Sequence, residues 1–326
     1  CVLANLAFLL ASGFSSLVLG QFFLALGMAF LSGTDSAFLY DSLKLLDREA
    51  EYANREAEGQ KYGMIGLALA SLTGGFLGLV DLRLPYAFSL LGAFWMLWLA
   101  WRCHEPPTQH ADTFQTGSFL TTVGECLFLM RDRVLAWLFG VVVLMYCLEH
   151  IAYEFYQPYI RLLDLHWHSG DLSAPVSGII IGLSMFGGAL GASLSIGFYR
   201  WLGLRSLIYL AAFAQLLIVA GLSLLLSPGM LAIVVFRNLP MSLVDSPVRA
   251  NIVPRIDGHL RATYLSLQSL SARLVFSGLL FVLASAVDQK ALDWSSLSLV
   301  LRGALAFGLV GTIFTILLAP KRFREH

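Results

Sequence analysis

Charged side chains are scarce in this sequence. Asp, Glu, Lys and Arg make up 13% of its 326 residues, whereas hydrophobic residues make up 58%. A soluble domain carries about 25% charged residues, because it must cover its surface for water, so the composition excludes a soluble globular protein. The 21 basic and 21 acidic residues cancel, and without a basic excess nucleic acid is excluded as a partner. The composition predicts an integral membrane protein in contact with a lipid bilayer.

Motifs for catalysis and for cofactor binding are absent as well. The chain contains no P-loop, no GxSxG elbow, no HExxH sequence and no nicotinamide-binding fingerprint. Its four cysteines lack CxxC spacing and lie in or beside apolar runs, so we expect buried thiols rather than disulfides or metal ligands. His166 and His168, with Asp171 nearby, are interpreted as part of a short loop and not as a metal site. The sequence thus predicts no enzyme, no metal and no cofactor.

Long apolar runs are what the sequence has in abundance. A helix needs about 20 apolar residues to cross a hydrocarbon core about 30 Å thick. Ten such spans are predicted, the first of them partial, at 1–12, 17–43, 62–80, 84–102, 134–158, 174–199, 203–226, 229–250, 262–287 and 296–319. The first span is under way at Cys1 and lacks the basic n-region and cleavage pattern of a signal peptide, so we expect a chain that lacks its front end.

Lys and Arg are concentrated in one set of loops. If the ten spans alternate in direction, one face has only Arg83, Arg161 and Lys290. The opposite face carries the basic residues Lys44, Arg48, Arg55, Lys61, Arg102, Arg131, Arg133, Arg200, Arg205, Arg249, Arg255, Arg261, Lys321, Arg322 and Arg324. Cytoplasmic loops carry an excess of Lys and Arg, so the second face and the C-terminus are predicted to be cytoplasmic.

The longest connection divides the chain after its fourth span. It begins with a hydrophilic stretch in which Pro106 and Pro107 cannot continue the preceding helix, and it ends with an amphipathic segment, 119–133. We expect three parts, namely a four-span bundle at 1–102, a cytoplasmic linker at 103–133 and a six-helix bundle at 134–326.

A faint repeat relates the two bundles. Asp35-Ser36 is followed by Asp41, and Asp245-Ser246 is followed at the same spacing by Asn251. Both copies lie at the inner end of a span that runs inward, the second and the eighth. The eighth span is the fourth span after the linker. If the second span was likewise the fourth in a front half of six spans, two spans are missing before it.

Three strings resemble the major facilitator superfamily, and in particular its bacterial efflux-like members. They are Ser32-Gly33-Thr34-Asp35-Ser36-Ala37-Phe38-Leu39-Tyr40-Asp41-Ser42-Leu43, Tyr156-Gln157-Pro158-Tyr159 and Arg261-Ala262-Thr263-Tyr264-Leu265-Ser266-Leu267. The resemblance implies an all-α fold of two six-helix bundles, with about ten of twelve helices present. It also implies a monomer in the bacterial inner membrane that exports a small molecule by alternating access, with protons as a coupling ion. Gln21 and Phe23 occupy the neighbourhood of the family's fourth-helix arginine, so proton antiport has no support from the motifs of this chain.

Ionisable residues inside the spans are the candidates for the transport site, because a charge in the bilayer usually faces a cavity or a partner. Glu149, Tyr153 and Tyr156 share one face of the fifth span. We expect this face to bind a cationic or polyhydroxyl substrate or to hold a proton. The alternative, left open, is a carboxylate paired with arginine to hold the bundle together. Arg273 lies near the centre of the ninth span, and Arg237 lies inside the eighth, three residues before Pro240; both are candidates for the substrate or proton site. For Arg273 the alternatives are gating or anion binding on one side and structural pairing on the other. Pro240 is expected to kink the eighth span.

Two further groups of residues are expected to shape the contact between the bundles. Asp35, Asp41, Asp245 and Arg205 are predicted to form an inner network, either as helix caps and charge pairs or as a gate. The glycine pairs at 74 and 78, 178 and 182, and 187 and 191 have the small-xxx-small spacing that lets helices approach closely.

The sequence therefore predicts a secondary transporter of a small molecule, with no ATP site and with proton-coupled efflux as one mode. Two alternatives stay open, a sugar or metabolite uptake permease and a membrane scaffold or receptor derived from a transporter.

Overall fold

The computed structural model describes residues 1–104, 119–163, 173–285 and 293–320, and these residues form α-helices and no β-strand. The helices are α1 Val2–Leu9, α2 Phe14–Leu31, α3 Thr34–Leu45, α4 Tyr52–Val80, α5 Leu84–Arg102, α6 Phe119–Leu129, α7 Arg133–Leu162, α8 Ser173–Leu224, α9 Gly229–Val234, α10 Asn238–Ile252, α11 Gly258–Ser285 and α12 Trp294–Leu317. We call α1–α5 the first helix group and α7–α12 the second. The loop with His166, His168 and Asp171 lies outside the described residues.

Each of the ten predicted spans falls on helix in the structure. In the described residues, eight helical segments are long and apolar enough to cross a membrane. One of them, α8, contains two of the predicted spans, because its helical geometry is broken only at Gly203 (φ 73°, ψ 162°). The prediction of an all-α, multi-pass membrane protein is confirmed.

Two predicted spans are discontinuous helices. The second is divided into α2 and α3 at Gly33, whose φ of 77° is readily adopted only by glycine. A side chain there would also have no room, since an added Cβ would lie 2.5 Å from Cβ of Leu265 in α11. The eighth span is divided into α9 and α10 by a turn at 235–237. Both breaks interrupt the helical hydrogen-bond pattern inside an apolar segment, which is tolerated only where protein or a cavity surrounds the backbone.

The buried core lies mostly in the second helix group. One apolar cluster joins α7, α8, α10 and α11 with Tyr40 of α3 and Tyr52 of α4, and another joins α7, the later part of α8, α11 and α12. In contrast, α2 buries only Gly20, and most of its apolar side chains are exposed. Exposed apolar surface of this extent suits lipid, because hydrocarbon chains are as apolar as the side chains they meet.

The predicted amphipathic segment forms α6, which packs on the beginning of α11. Sγ of Cys126 lies 3.9 Å from the Leu260 carbonyl oxygen, and His259 lies 3.8 Å from Glu125. Cys126 and Cys147 are buried thiols, as expected. The prediction is wrong for Cys1 and Cys103, which are exposed because they flank helix ends rather than lie on packed faces.

Asp293 caps the N-terminus of α12 and gives that helix a dependence on pH. Its carboxylate accepts hydrogen bonds from the Ser296 amide (2.9 Å) and the Ser295 hydroxyl (2.6 Å), which lower its pKa to about 2. A lowered pKa stabilises the fold above the unfolded value of about 4, and this contribution is lost as the pH falls towards 2. We expect Asp293→Asn to flatten the dependence of the melting temperature on pH between these values, and an unchanged slope would show that the cap contributes nothing.

Candidate functional site

One face of α7 is open while the rest of the helix is packed. Tyr146, His150, Tyr153 and Gln157 are spaced by three or four residues and therefore lie on one side of the helix. All four are exposed or half-buried, and the Tyr153 residue is 39% exposed. The packed side consists of fully buried apolar residues such as Leu148. The open face gives α7 a polar and aromatic surface inside an apolar span.

A buried ion pair joins this face to the break in the eighth span. Nη1 of Arg237 lies 3.2 Å from Oε1 of Glu149, and the two side chains are 3% and 16% exposed. The guanidinium also lies 4.8 Å from the centre of the Tyr153 ring, within the range of a cation–π contact. Two spans are thus connected through a charge pair that is largely removed from water.

His150 binds the second oxygen of the same carboxylate. Its Nδ1 lies 2.8 Å from Oε2 of Glu149 and 3.1 Å from the Tyr146 carbonyl oxygen. When Glu149 is ionised both partners are acceptors, and Nδ1 is then the nitrogen that donates. The imidazole also stacks on the Tyr146 ring, with centroids 3.7 Å apart. Glu149 is therefore held between a permanent cation and a titratable donor.

The break between α9 and α10 places Arg237 opposite Glu149. Pro240 has no N–H and cannot bond the Phe236 carbonyl, which instead accepts the Leu239 amide at 3.0 Å. The turn approaches α8 closely, because an added Cβ on Gly187 would lie 3.1 Å from the Val235 oxygen. The predicted kink at Pro240 is therefore present as a full interruption of the helix.

Uncharged polar groups are buried beside this break. Oδ1 of Asn238 and Oγ of Ser242 have no hydrogen-bond partner in the described part of the chain, and Nδ2 of Asn238 lies 3.3 Å from Sδ of Met185. Neither Asn238 nor Ser242 was predicted from the sequence as a site residue. The signal that could have found them is a polar pair four residues apart, flanking Pro240, in an otherwise apolar span.

Glycines of α8 allow a close contact between the two helix groups. An added Cβ on Gly178 would lie 2.6 Å from the Ser71 carbonyl oxygen of α4, and one on Gly182 would lie 2.8 Å from Cγ of Leu72. Gly187 and Gly191 approach the backbone of the eighth span in the same way. Gly74 meets only Cβ of Pro85, at 3.9 Å, so its role in close packing is smaller than its spacing suggested.

Polar contacts join the two groups at one end, which we call the basic end because the loops at 44–61, 200–205 and 249–261 lie there. Arg249 of α10 contacts Asp245 (3.1 Å), Glu56 of α4 (3.5 Å) and the Ser36 hydroxyl of α3 (2.8 Å). The Ser36 hydroxyl in turn donates to Glu56 at 2.7 Å. Ser246, the counterpart of Ser36 in the repeat, donates to Gln60 of α4 at 3.0 Å.

A second connection at the basic end joins α3 to α11. Arg261 forms an ion pair with Asp41, lies 4.3 Å from the centre of the Tyr40 ring, and donates to the Val253 carbonyl at 3.1 Å. One turn further along α11, the Ser266 hydroxyl donates to the Ser32 carbonyl at the α2–α3 break. The first and second helix groups are therefore held together at this end by ion pairs and hydrogen bonds.

The comparison with known families agrees with this arrangement. The pattern of the family described as Major Facilitator Superfamily matches residues 1–277, which is most of the chain. The chain belongs to the Major Facilitator Superfamily. None of the curated proteins compared with the chain matches it. Members of the superfamily are membrane transporters and not enzymes, so this superfamily chain is a multi-pass membrane transporter.

The structure brings together some of the residues that the sequence proposed for transport. Glu149, Tyr153 and Arg237 are in direct contact. Tyr156 is buried one turn away, and its hydroxyl accepts from Nε2 of Gln157 at 3.1 Å. Arg273 makes no contact with this ion pair and is exposed on α11. Since the Glu149 carboxylate is already paired with arginine, it does not offer a free negative charge to a cation.

The four residues proposed for the inner network have different surroundings in this superfamily member. Asp41 joins the two helix groups through Arg261, and Asp245 does so indirectly, through Arg249. Asp35 is exposed and accepts the amide of Ser36 at 2.9 Å. Arg205 donates to the Pro320 carbonyl oxygen near the end of the described chain.

Proposed function

We propose that this superfamily member is a secondary active transporter that carries a small molecule by alternating access. The observation that carries the proposal is the Glu149–Arg237 ion pair at an interruption of a membrane span. Interrupted spans at the interface of two bundles are a common place for substrate and ion sites in secondary transporters. In this proposal 1–102 and 134–326 are the two moving bundles, and 103–133 is the linker between them.

The depth of the pair supports a role in transport. Glu149 follows the beginning of α7 by 16 residues, or about 24 Å, in a helix of 30 residues that is about 45 Å long. A charge near mid-membrane is costly to maintain, and such charges usually lie on substrate or ion pathways. Both partners belong to the second helix group, but the break beside them faces α4 of the first group, since Cβ of Asn238 and Sδ of Met64 would both lie 3.2 Å from a Cβ added on Gly188. Rotation of one bundle against the other would therefore change the surroundings of the pair.

Proton-coupled efflux is the mode that we propose for this site. A proton on Glu149 removes its attraction to Arg237, so protonation and the arrangement of the two spans are linked. The imidazole of His150, whose Nδ1 lies 2.8 Å from the same carboxylate, supplies a route for the proton. The outward direction rests on the resemblance to efflux-like members of the superfamily.

The proposed orientation follows the charge of the loops. The basic end faces the cytoplasm, together with the C-terminus, because loops rich in Lys and Arg remain on that side. The protein acts as a monomer in the plasma membrane, the inner membrane in a bacterium.

A pH-jump assay in proteoliposomes tests this function. We expect an imposed proton gradient to drive uptake or release of at least one compound from a panel of charged dyes and sugars. Glu149→Gln should abolish the coupling to pH while substrate exchange without a gradient persists. Glu154→Gln is the matched control, since this neighbouring carboxylate is exposed and has no part in the ion pair.

Two results would contradict the proposal. Unaltered coupling in Glu149→Gln would exclude this carboxylate as the proton carrier. Absence of transport for the whole panel, in a protein that still binds a partner protein, would favour the scaffold or receptor.

A further inference from the structure

Arg273 is a cation near the middle of the membrane without a counter-charge. It lies 15 residues from the beginning of α11 and 12 from its end, or about 22 Å and about 18 Å along the helix. It is exposed, and among the described residues no ion pair includes it. Since a lone charge is expensive at this depth, Arg273 requires either water or an anion.

The direction of Arg273 follows from its neighbours on the same helix face. Ser266, seven residues earlier and about two turns away, lies on the same face and bonds the Ser32 carbonyl of the first helix group. Ala262, one turn before Ser266, lies against Gly33 of the same group. Arg273 therefore projects into the space between the two helix groups, beyond the point where they touch at the basic end.

An aromatic surface lies next to this arginine. The ring of Tyr146 on α7 stacks on that of His150. Phe276, three residues after Arg273, has its ring centre 6.2 Å from that of Tyr146 and 5.5 Å from that of His150. The Tyr146 and His150 side chains are half-buried and Arg273 is exposed, so the described residues enclose neither the rings nor the guanidinium completely.

The balance of charges gives the sign of the ligand. Arg237 and Glu149 neutralise each other, and the exposed Glu154 lies further along α7, 21 residues from its beginning. In the described part of the chain this leaves Arg273 as the unpaired cation near mid-membrane. We propose that the substrate is an organic anion, with a carboxylate or sulfonate bound by Arg273 and a planar apolar ring on Tyr146 and His150. A guanidinium forms two parallel hydrogen bonds to such a group. The inference rests on the proposed transport function and replaces the cationic substrate expected from Glu149.

Two xanthene dyes of opposite charge test the sign directly. Fluorescein is an anion and pyronin Y is a cation, and both have the same planar ring system. Binding to the purified protein in detergent is measured by fluorescence polarisation, and transport is measured separately in proteoliposomes. We expect the wild-type protein to bind fluorescein at least about tenfold more tightly than pyronin Y.

Substitutions at one position test the assignment of the anion to Arg273. Arg273→Gln should weaken fluorescein binding by about tenfold or more and leave pyronin Y unaffected, because a charge-assisted hydrogen bond is lost. Arg273→Lys keeps the charge but not the paired donors, so its affinity for fluorescein should lie between that of the wild type and that of Arg273→Gln. Arg302→Gln, which removes an exposed arginine of α12, should bind as the wild type does.

Each result counts for or against the inference. The anion assignment is overturned if the wild-type protein binds pyronin Y more tightly than fluorescein, or binds neither dye. This test does not depend on whether the variants fold. Fluorescein affinity that is equal in wild type and Arg273→Gln overturns the role of Arg273. Fluorescein binding that depends on Arg273, without transport of any compound, supports this inference and contradicts the proposed function alone.

Discussion

Replacement of Arg237 by glutamine should lower the free energy of unfolding by about 3 kcal/mol, with a matching fall in the melting temperature of the detergent-solubilised protein. The side chain is 3% exposed, and its loss leaves Glu149 charged in an apolar span. Removal of one partner of a buried pair costs about 3–5 kcal/mol. The lower value applies here because Glu149 keeps His150 as a donor and is itself 16% exposed.

The double variant Arg237→Gln and Glu149→Gln separates the pair from its parts. We expect it to recover part of the stability lost in Arg237→Gln, because no uncompensated charge remains in the membrane. Arg302→Gln serves as the control for loss of an exposed arginine, and its melting temperature should equal that of the wild type. Equal melting temperatures for Arg237→Gln and the wild type would show that the pair does not stabilise the fold.

Replacement of Gly33 by alanine should separate the helix groups at the basic end. The left-handed φ of 77° costs an L-residue about 1–2 kcal/mol, and the added Cβ would lie 2.5 Å from Cβ of Leu265. The carbonyl oxygen of Ala262, at 3.1 Å, is backbone and has little freedom to move away. Relief of this overlap requires α3 and α11 to move apart, which weakens the ion pair between Asp41 and Arg261.

Thiol labelling measures this separation. A cysteine at Ser266, in a background with Cys1 and Cys103 replaced by serine, reports on access from the basic end. We expect a membrane-impermeant maleimide to label it several-fold faster when Gly33 is alanine. Gly63→Ala is the control, since no atom lies within 4 Å of an added Cβ there. Identical rates in the two variants would mean that the contact at Gly33 does not hold this end closed.

Hydropathy was sufficient to predict the helices of this chain, because lipid requires each spanning segment to satisfy its own backbone hydrogen bonds. Pro240 likewise predicted a disturbance in the eighth span through a local rule about a missing N–H. The interruption at Gly33 was not predicted, and 17–43 was expected to be one continuous helix. The break lies against Leu265 of α11, and this close approach is a tertiary contact that a local pattern does not contain.

The pairing of charges was harder to predict than their presence. Glu149 and Arg237 were both identified as charges inside spans, but they are 88 residues apart, and their contact depends on the rotation of α7 and the turn at 235–237. Arg249 was assigned only to a basic loop, although Asp245 four residues earlier indicated a pair on one helix face. Its contacts with Glu56 and Ser36 follow from the packing of α10 against α3 and α4, which the sequence alone does not give.

At Gly178 and Gly182, α8 has no side chain that interlocks with α4. This lowers the barrier to motion between the helix groups. In the proposed rotation, the Leu72 side chain of α4 would move across Gly182 without displacing a side chain of α8. The height of the barrier then depends mainly on the few ionic links at the opposite side of the interface, through Arg249 and Arg261. Protein engineers can therefore bias the resting conformation at those arginines while the residues that line the pathway stay unchanged.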